Sequence, residues 1–155
     1  MDSTEPSYLT NRAASYIALK RFRPALADCQ LAASLQSSSP SSKTLLRLGR
    51  CQLALGSSAA ALSTVRSIFA IESKNASASQ LQDKIQILEA HARNLDTARK
   101  KKDWGHARLA LDKCLQSIEA EGEEIPTEWR TLRVELELSR GNWEAASIAA
   151  KYVHV

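Results

Sequence analysis

Two stretches of the chain, YLTNRAASYIALKRFRPALADCQLA and TLLRLGRCQLALGSSAAALSTVRSI, carry one pattern of small and large residues 36 positions apart. Ala13 aligns with Gly49, Tyr16 with Gln52, Ala25 with Ala61, Cys29 with Val65 and Ala32 with Ile68, and the offset does not change. A fixed offset of this size marks repeated supersecondary units, each unable to bury its apolar face alone and so stacked on a neighbour. Ala13, Ala25, Gly49 and Ala61 fall where paired helices approach most closely. The chain is thereby confined to an all-α solenoid.

Composition agrees. Of 155 residues 44% are apolar, with only five Gly and four Pro, which favours helix over sheet. No apolar run approaches the roughly 18 residues that span a bilayer, and MDSTEPSYL lacks the basic start and hydrophobic stretch of a signal peptide, so no membrane partner is expected and the compartment reads as cytosol or nucleus. Cys29, Cys51 and Cys114 are far apart and each sits in an apolar helical pattern, which makes them small buried hydrophobes rather than metal ligands or a redox pair. His91, His106 and His154 are scattered, and no nucleophile, base or metal set converges. The sequence therefore predicts neither an enzyme nor a cofactor.

Eight helices are expected. The first runs over 6–19, opened by Pro6 where a missing N–H is harmless, and the second over 22–35, ended by SSSPSS. The next pair covers 41–54 and 58–71, broken at Gly56-Ser57-Ser58, where Gly suits the left-handed position and Ser the cap. A longer helix over 77–101 keeps Leu81, Ile85, Leu88, Ala92, Leu95 and Ala98 on one stripe. Helices at 104–119, 127–139 and 142–153 follow, with the acidic stretch EAEGEEIP as a loop. Asn75-Ala76-Ser77 matches a glycosylation acceptor, a chance match in a cytosolic chain.

One constellation carries chemistry. Lys43, Arg47 and Arg50 are spaced i, i+4, i+7, so all three project from one helix face, while Leu45, Leu48 and Leu55 turn toward the core. Like charges four apart cost an isolated helix about 0.2 to 0.5 kcal/mol, and a bound anion would offset that; the alternative is a solvated basic face with no role. Arg47 occupies in its repeat the position that Asn11 occupies in the previous one, and stacked repeats set equivalent residues side by side. Asn11, Lys43 and Arg47 should converge, offering an amide, a mobile cation and a planar fork to a carboxylate.

The same residues carry a resemblance. Ala13, Tyr16, Ala25 and Phe22, with Leu48-Gly49 restoring the signature pair, resemble the tetratricopeptide (TPR) repeat, an antiparallel helix pair of about 34 residues. A weaker copy runs through Leu95, Ala98, Trp104-Gly105-His106-Ala107, Leu111 and Cys114, and another through Trp129, Val134, Gly141-Asn142-Trp143-Glu144-Ala145-Ala146 and Ala150. The resemblance implies a right-handed superhelical solenoid of about four repeats: one domain over 1–155, with two clear repeats at 6–73, an elongated third at 77–120 and a fourth at 126–153. TNRAASYIALKRFRPALADC with KTLLRLGRCQLALG is most similar to the carboxylate-clamp repeats of tetratricopeptide J-domain co-chaperones in their fungal form. That resemblance implies a groove for the acidic carboxyl-terminal tails of 70-kDa and 90-kDa heat-shock chaperones, with Asn11 as the clamp asparagine and Lys43 and Arg47 as the clamp lysine and arginine, Arg50 extending the same face. A full clamp takes a further Lys and Asn from a preceding repeat, which the chain lacks, so it reads as a fragment or a shortened form. There is no His-Pro-Asp tripeptide and hence no J-domain. At the clamp positions of repeats three and four stand Glu89 with Arg93 and Glu128 with Leu132, where acids would repel a carboxylate.

Two other functions compete. A structural scaffold would leave the basic stripe incidental, and the apolar residues Tyr8, Leu9, Ala13, Tyr16 and Ile17 of the first helix, with EAASIAAKYVHV at the other end, exceed what one neighbour should cover. That predicts a homo-oligomer through the terminal helices or burial in a longer protein. Nucleic acid is the weakest partner, because RKKK at 99–102 lies at a helix end, where cations suit the macrodipole, and no aromatic platform interleaves it.

Overall fold

The computed structural model describes residues 5–141 and 143–151, without the side chains of 143–146. The described residues form eight α-helices: α1 (Pro6–Ala18), α2 (Phe22–Leu35), α3 (Ser42–Ala54), α4 (Ser58–Ile71), α5 (Ala76–Lys100), α6 (Trp104–Gln116), α7 (Thr127–Ser139) and α8 (Trp143–Ala150). No strand occurs among them. The fold is all-α, as the repeat pattern requires, and the chain divides into two compact units, one through Gln86 and the other from Ile87 onward, with the boundary inside α5.

The sequence explains where the helices start and stop. Pro6 opens α1, Ser41 caps α3 by accepting from Thr44 N, and Asp103 caps α6 by accepting from His106 N. Asn75, the apparent glycosylation acceptor, caps α5 instead: its Oδ1 accepts from Ala78 N and its Nδ2 donates to Glu72. The predicted helix at 104–119 ends earlier, at Gln116, because Ile118 and Ala120 turn inward and are buried, and the acidic loop holds a short 3-10 turn at Gly122–Glu124. Residues 152 and 153 of the last predicted helix, and His154, lie outside the described residues.

All four helix pairs use one turn. The second residue after each leading helix has positive φ: Lys20 at 54°, Gly56 at 78°, Lys102 at 55° and Gly141 at 72°. In the first three the next N–H closes onto the carbonyl five residues back, Arg21 on Tyr16, Ser57 on Gln52 and Asp103 on Ala98, at 2.8, 2.8 and 2.9 Å. This is the Schellman closure, which satisfies carbonyls that a helix end leaves without partners. The left-handed residue thus recurs at the same place after α1, α3, α5 and α7.

In the first unit, α1 packs on α2, α2 on α3 and α3 on α4, and α1 also reaches α3. Phe22, Ala13, Ala25, Cys29, Ala32, Cys51, Ala61, Val65 and Ile68 have no exposed surface, so the small residues lie at the helix crossings as the sequence predicts. At Gly49 a Cβ would stand 2.8 Å from Leu81 Cδ2, so a larger residue there would push the end of the Leu81 side chain aside. In the second unit α7 packs on α6 and α8, with Ala107, Leu111, Cys114, Leu132 and Leu136 as its core. The apolar face of α1 is not left open: Leu9, Ala13 and Ile17 are buried, because α2 and α3 both cover it. Tyr8 and Tyr16, the other two residues of that face, are half-buried. At the other end Ile148 is exposed, and residues 152–155 lie outside the described residues.

Candidate functional site

The predicted clamp residues lie on α1 and α3, the leading helices of the first two pairs. Lys43, Arg47 and Arg50 share one face of α3; Lys43 and Arg50 are exposed and Arg47 is half-buried. Arg47 reaches across to α1, where Nη1 donates to Thr10 O at 2.8 Å. That carbonyl belongs to the peptide leading into Asn11, so the contact places Arg47 beside the chain at the exposed Asn11. Lys43 stands one turn earlier on α3. Arg50 takes part in an interaction of its own.

Neighbouring residues hold this stretch of α1 in place. Arg12, next to Asn11, makes two 2.7 Å bonds to the buried Asp28 of α2, Nε to Oδ2 and Nη2 to Oδ1, and its guanidinium lies 5.2 Å from the Tyr8 ring centre. The bond to Asp28 pushes Arg12 further above its already high pKa. A bidentate pair of this kind sets orientation as well as energy. The sequence reasoning missed it, since only the fold brings Arg12 and Asp28 together. Beneath Arg47, the buried thiols of Cys29 and Cys51 meet, and the Cys29 pKa is lowered first by the hydrogen bond from Cys51 and then by the charge of Arg47. Arg47 therefore ties α1 to α3 besides presenting a charge. The groove face is not wholly solvated, as the stripe alone suggested.

The second unit has no comparable arrangement at the equivalent positions. Leu132 is core, and Glu128 is exposed and meets Arg99 at 3.4 Å. The RKKK run is also partly engaged: Arg99 faces Glu128, Lys100 pairs with Asp96 at 2.9 Å, and Lys102 is the left-handed turn residue. Among the described residues no group of three or more His, Cys, Asp or Glu could hold a metal ion, and no helix is long and apolar enough to cross a membrane.

The chain has relatives among known proteins. The chain is homologous to DnaJ homolog subfamily C member 7. It is 32% identical to the Homo sapiens protein over 110 residues and 31% identical to that of Mus musculus over 110 residues, in each case 71% of this chain. The resemblance to tetratricopeptide J-domain co-chaperones drawn from the residues is thus matched by alignment to a DnaJ protein. The aligned region spans 22% of the length of those relatives. No family model matches the chain, and no solved structure matches it.

Proposed function

We propose that the chain is a protein-interaction module of the TPR co-chaperone type, whose α1–α3 face takes the acidic carboxyl-terminal tails of 70-kDa and 90-kDa heat-shock chaperones. The observation that carries this is the Arg47 contact with Thr10 O, which sets a half-buried guanidinium beside Asn11 with Lys43 one turn away. A guanidinium has five N–H donors, so a bond to one carbonyl leaves it able to receive a carboxylate. Lys43 adds a mobile charge to the same anion, and Arg50 extends the basic face toward acidic residues upstream in the peptide.

The test is a titration with an acidic carboxyl-terminal peptide and its amidated twin. Arg47→Ala should weaken the acid by about 1.5 to 3 kcal/mol, the range for a hydrogen bond to a charged group. Because Arg47 also bonds to α1, the same change should lower stability by about 1 kcal/mol; Lys43→Ala, on an exposed side chain, should weaken binding without that loss. Equal affinity for acid and amide sinks the proposal and leaves a scaffold.

A further inference from the structure

Counting back from the left-handed turn residue aligns the four repeats. The position held by Leu9 in the first and Leu45 in the second falls on His91 in the third and Arg130 in the fourth. Leu9 is 1% exposed, while Leu45 and His91 are half-buried. Arg130 is buried there too, at 7% exposure. Its Nη2 donates to Thr127 Oγ1 at 3.0 Å, but Nε and Nη1 are enclosed and have no acceptor. A guanidinium cannot shed its charge, and buried charges are ordinarily paired. Beside it lies a cavity of about 440 Å3 that Arg130 lines together with Arg133, Glu137, Ile125, Ile148 and Ala149.

We propose that this cavity is a second ligand site, in which Arg130 binds the carboxylate at the end of a peptide whose last residue is aliphatic. Three observations select that ligand. Among the described lining residues, Arg130 and Arg133 against Glu137 leave one net positive charge, which suits a monoanion better than a phosphate dianion. Ile125, Ile148 and Ala149 supply an apolar wall for the aliphatic group. The volume lies in the range of small-ligand sites, roughly 300 to 1,000 Å3. Nε and Nη1 are closed off from solvent, so a carboxylate in the cavity meets them only when the long side chain rotates toward it. The site shares no residue with Asn11, Lys43 or Arg47.

Nitrogen-15 NMR of the arginine side chains in the whole chain tests this. N-acetyl-leucine should shift the Arg130 Nε–H resonance saturably, and N-acetyl-leucinamide should not. Arg130→Leu restores the aliphatic residue of the first two repeats, so it should melt at or above the parent temperature while binding N-acetyl-leucine at least tenfold more weakly. Lys43→Ala should bind it as the parent does. Equal shifts from acid and amide, or retained binding in Arg130→Leu, overturn the proposal. Inorganic phosphate binding as tightly as N-acetyl-leucine overturns the choice of a carboxylate, and octanoate binding more tightly overturns the peptide terminus as its source. Should Arg130→Leu not fold, the acid–amide pair on the parent protein decides.

Discussion

The two compact units apply one repeat plan to different ends. In the first, one position of each leading helix carries Leu9 or Leu45, the buried carboxylate of Asp28 has its arginine, and Arg47 has a carbonyl. In the second, the same position carries His91 and Arg130, and the buried guanidinium of Arg130 is only partly satisfied. The contrast separates two uses of arginine in a helical repeat. Placed at the edge of a helix crossing, it ties neighbouring helices together; placed inside, it adds a charge that the fold itself does not answer. Repeat proteins tolerate such departures because each unit depends chiefly on its nearest neighbours.

The sharpest way to break the comparison is to move the charge. Leu9→Arg should cost the first unit about 3 to 5 kcal/mol, as for an uncompensated buried charge, read as a lower urea midpoint; a loss below 1 kcal/mol would mean that the position tolerates charge in either unit. Overpacking comes next. Ala61→Leu in the first unit and Ala107→Leu in the second fill sites with no exposed surface and should each cost about 1 to 3 kcal/mol; a thermal melt unmoved by either would refute the shared register.

Smaller effects lie in the turns. Lys20→Gly and Lys102→Gly replace residues held at positive φ and should each stabilise by up to about 1 kcal/mol, whereas Gly56→Ala and Gly141→Ala should destabilise by a similar amount. The smallest effect is a pH dependence with one source in each unit. Hydrogen bonds from Ser42 and then Asn75 lower the pKa of Glu72, and those from the His106 backbone and then its ring lower that of Asp103. A depressed carboxylate contributes stability above its unfolded pKa and loses it as pH falls through the lower folded value. Each contribution should therefore be intact at neutral pH and fade in acid. Carbon-detected titration should find both groups below the ordinary carboxylate range, and Ser42→Ala should return Glu72 toward it while leaving Asp103 unchanged.

Much of this architecture could be read in the residues, because spacing is what helix pairs are made of. The bounds of α2, α4 and α7 agree with the periodicity, and Gly56 announced its turn. Lys20 and Lys102 did not: nothing in a lysine signals a left-handed backbone, and only the repeat register implies one. The stripe of Lys43, Arg47 and Arg50 was legible from i, i+4 spacing, as was the neighbourhood of Asn11 from the repeat offset. The Arg47 bond to a backbone carbonyl was not, since backbone acceptors leave no trace in a side-chain pattern. Arg130 escaped for the opposite reason. The pattern gives its face, and a long polar residue on that face reads as surface until its neighbours are placed.

The three cysteines divide between the units. Cys29 and Cys51 are buried in the first and Cys114 in the second, all as free thiols. A thiol reagent can reach such groups only when the surrounding helices open, so its rate of reaction reports opening rather than exposure. Cys114, whose pKa burial pushes up to about 11, must gain solvent before it becomes a nucleophile at all. The chain thus contains its own probes of local unfolding, and labelling followed by mass spectrometry would give each unit a separate opening free energy without a single substitution.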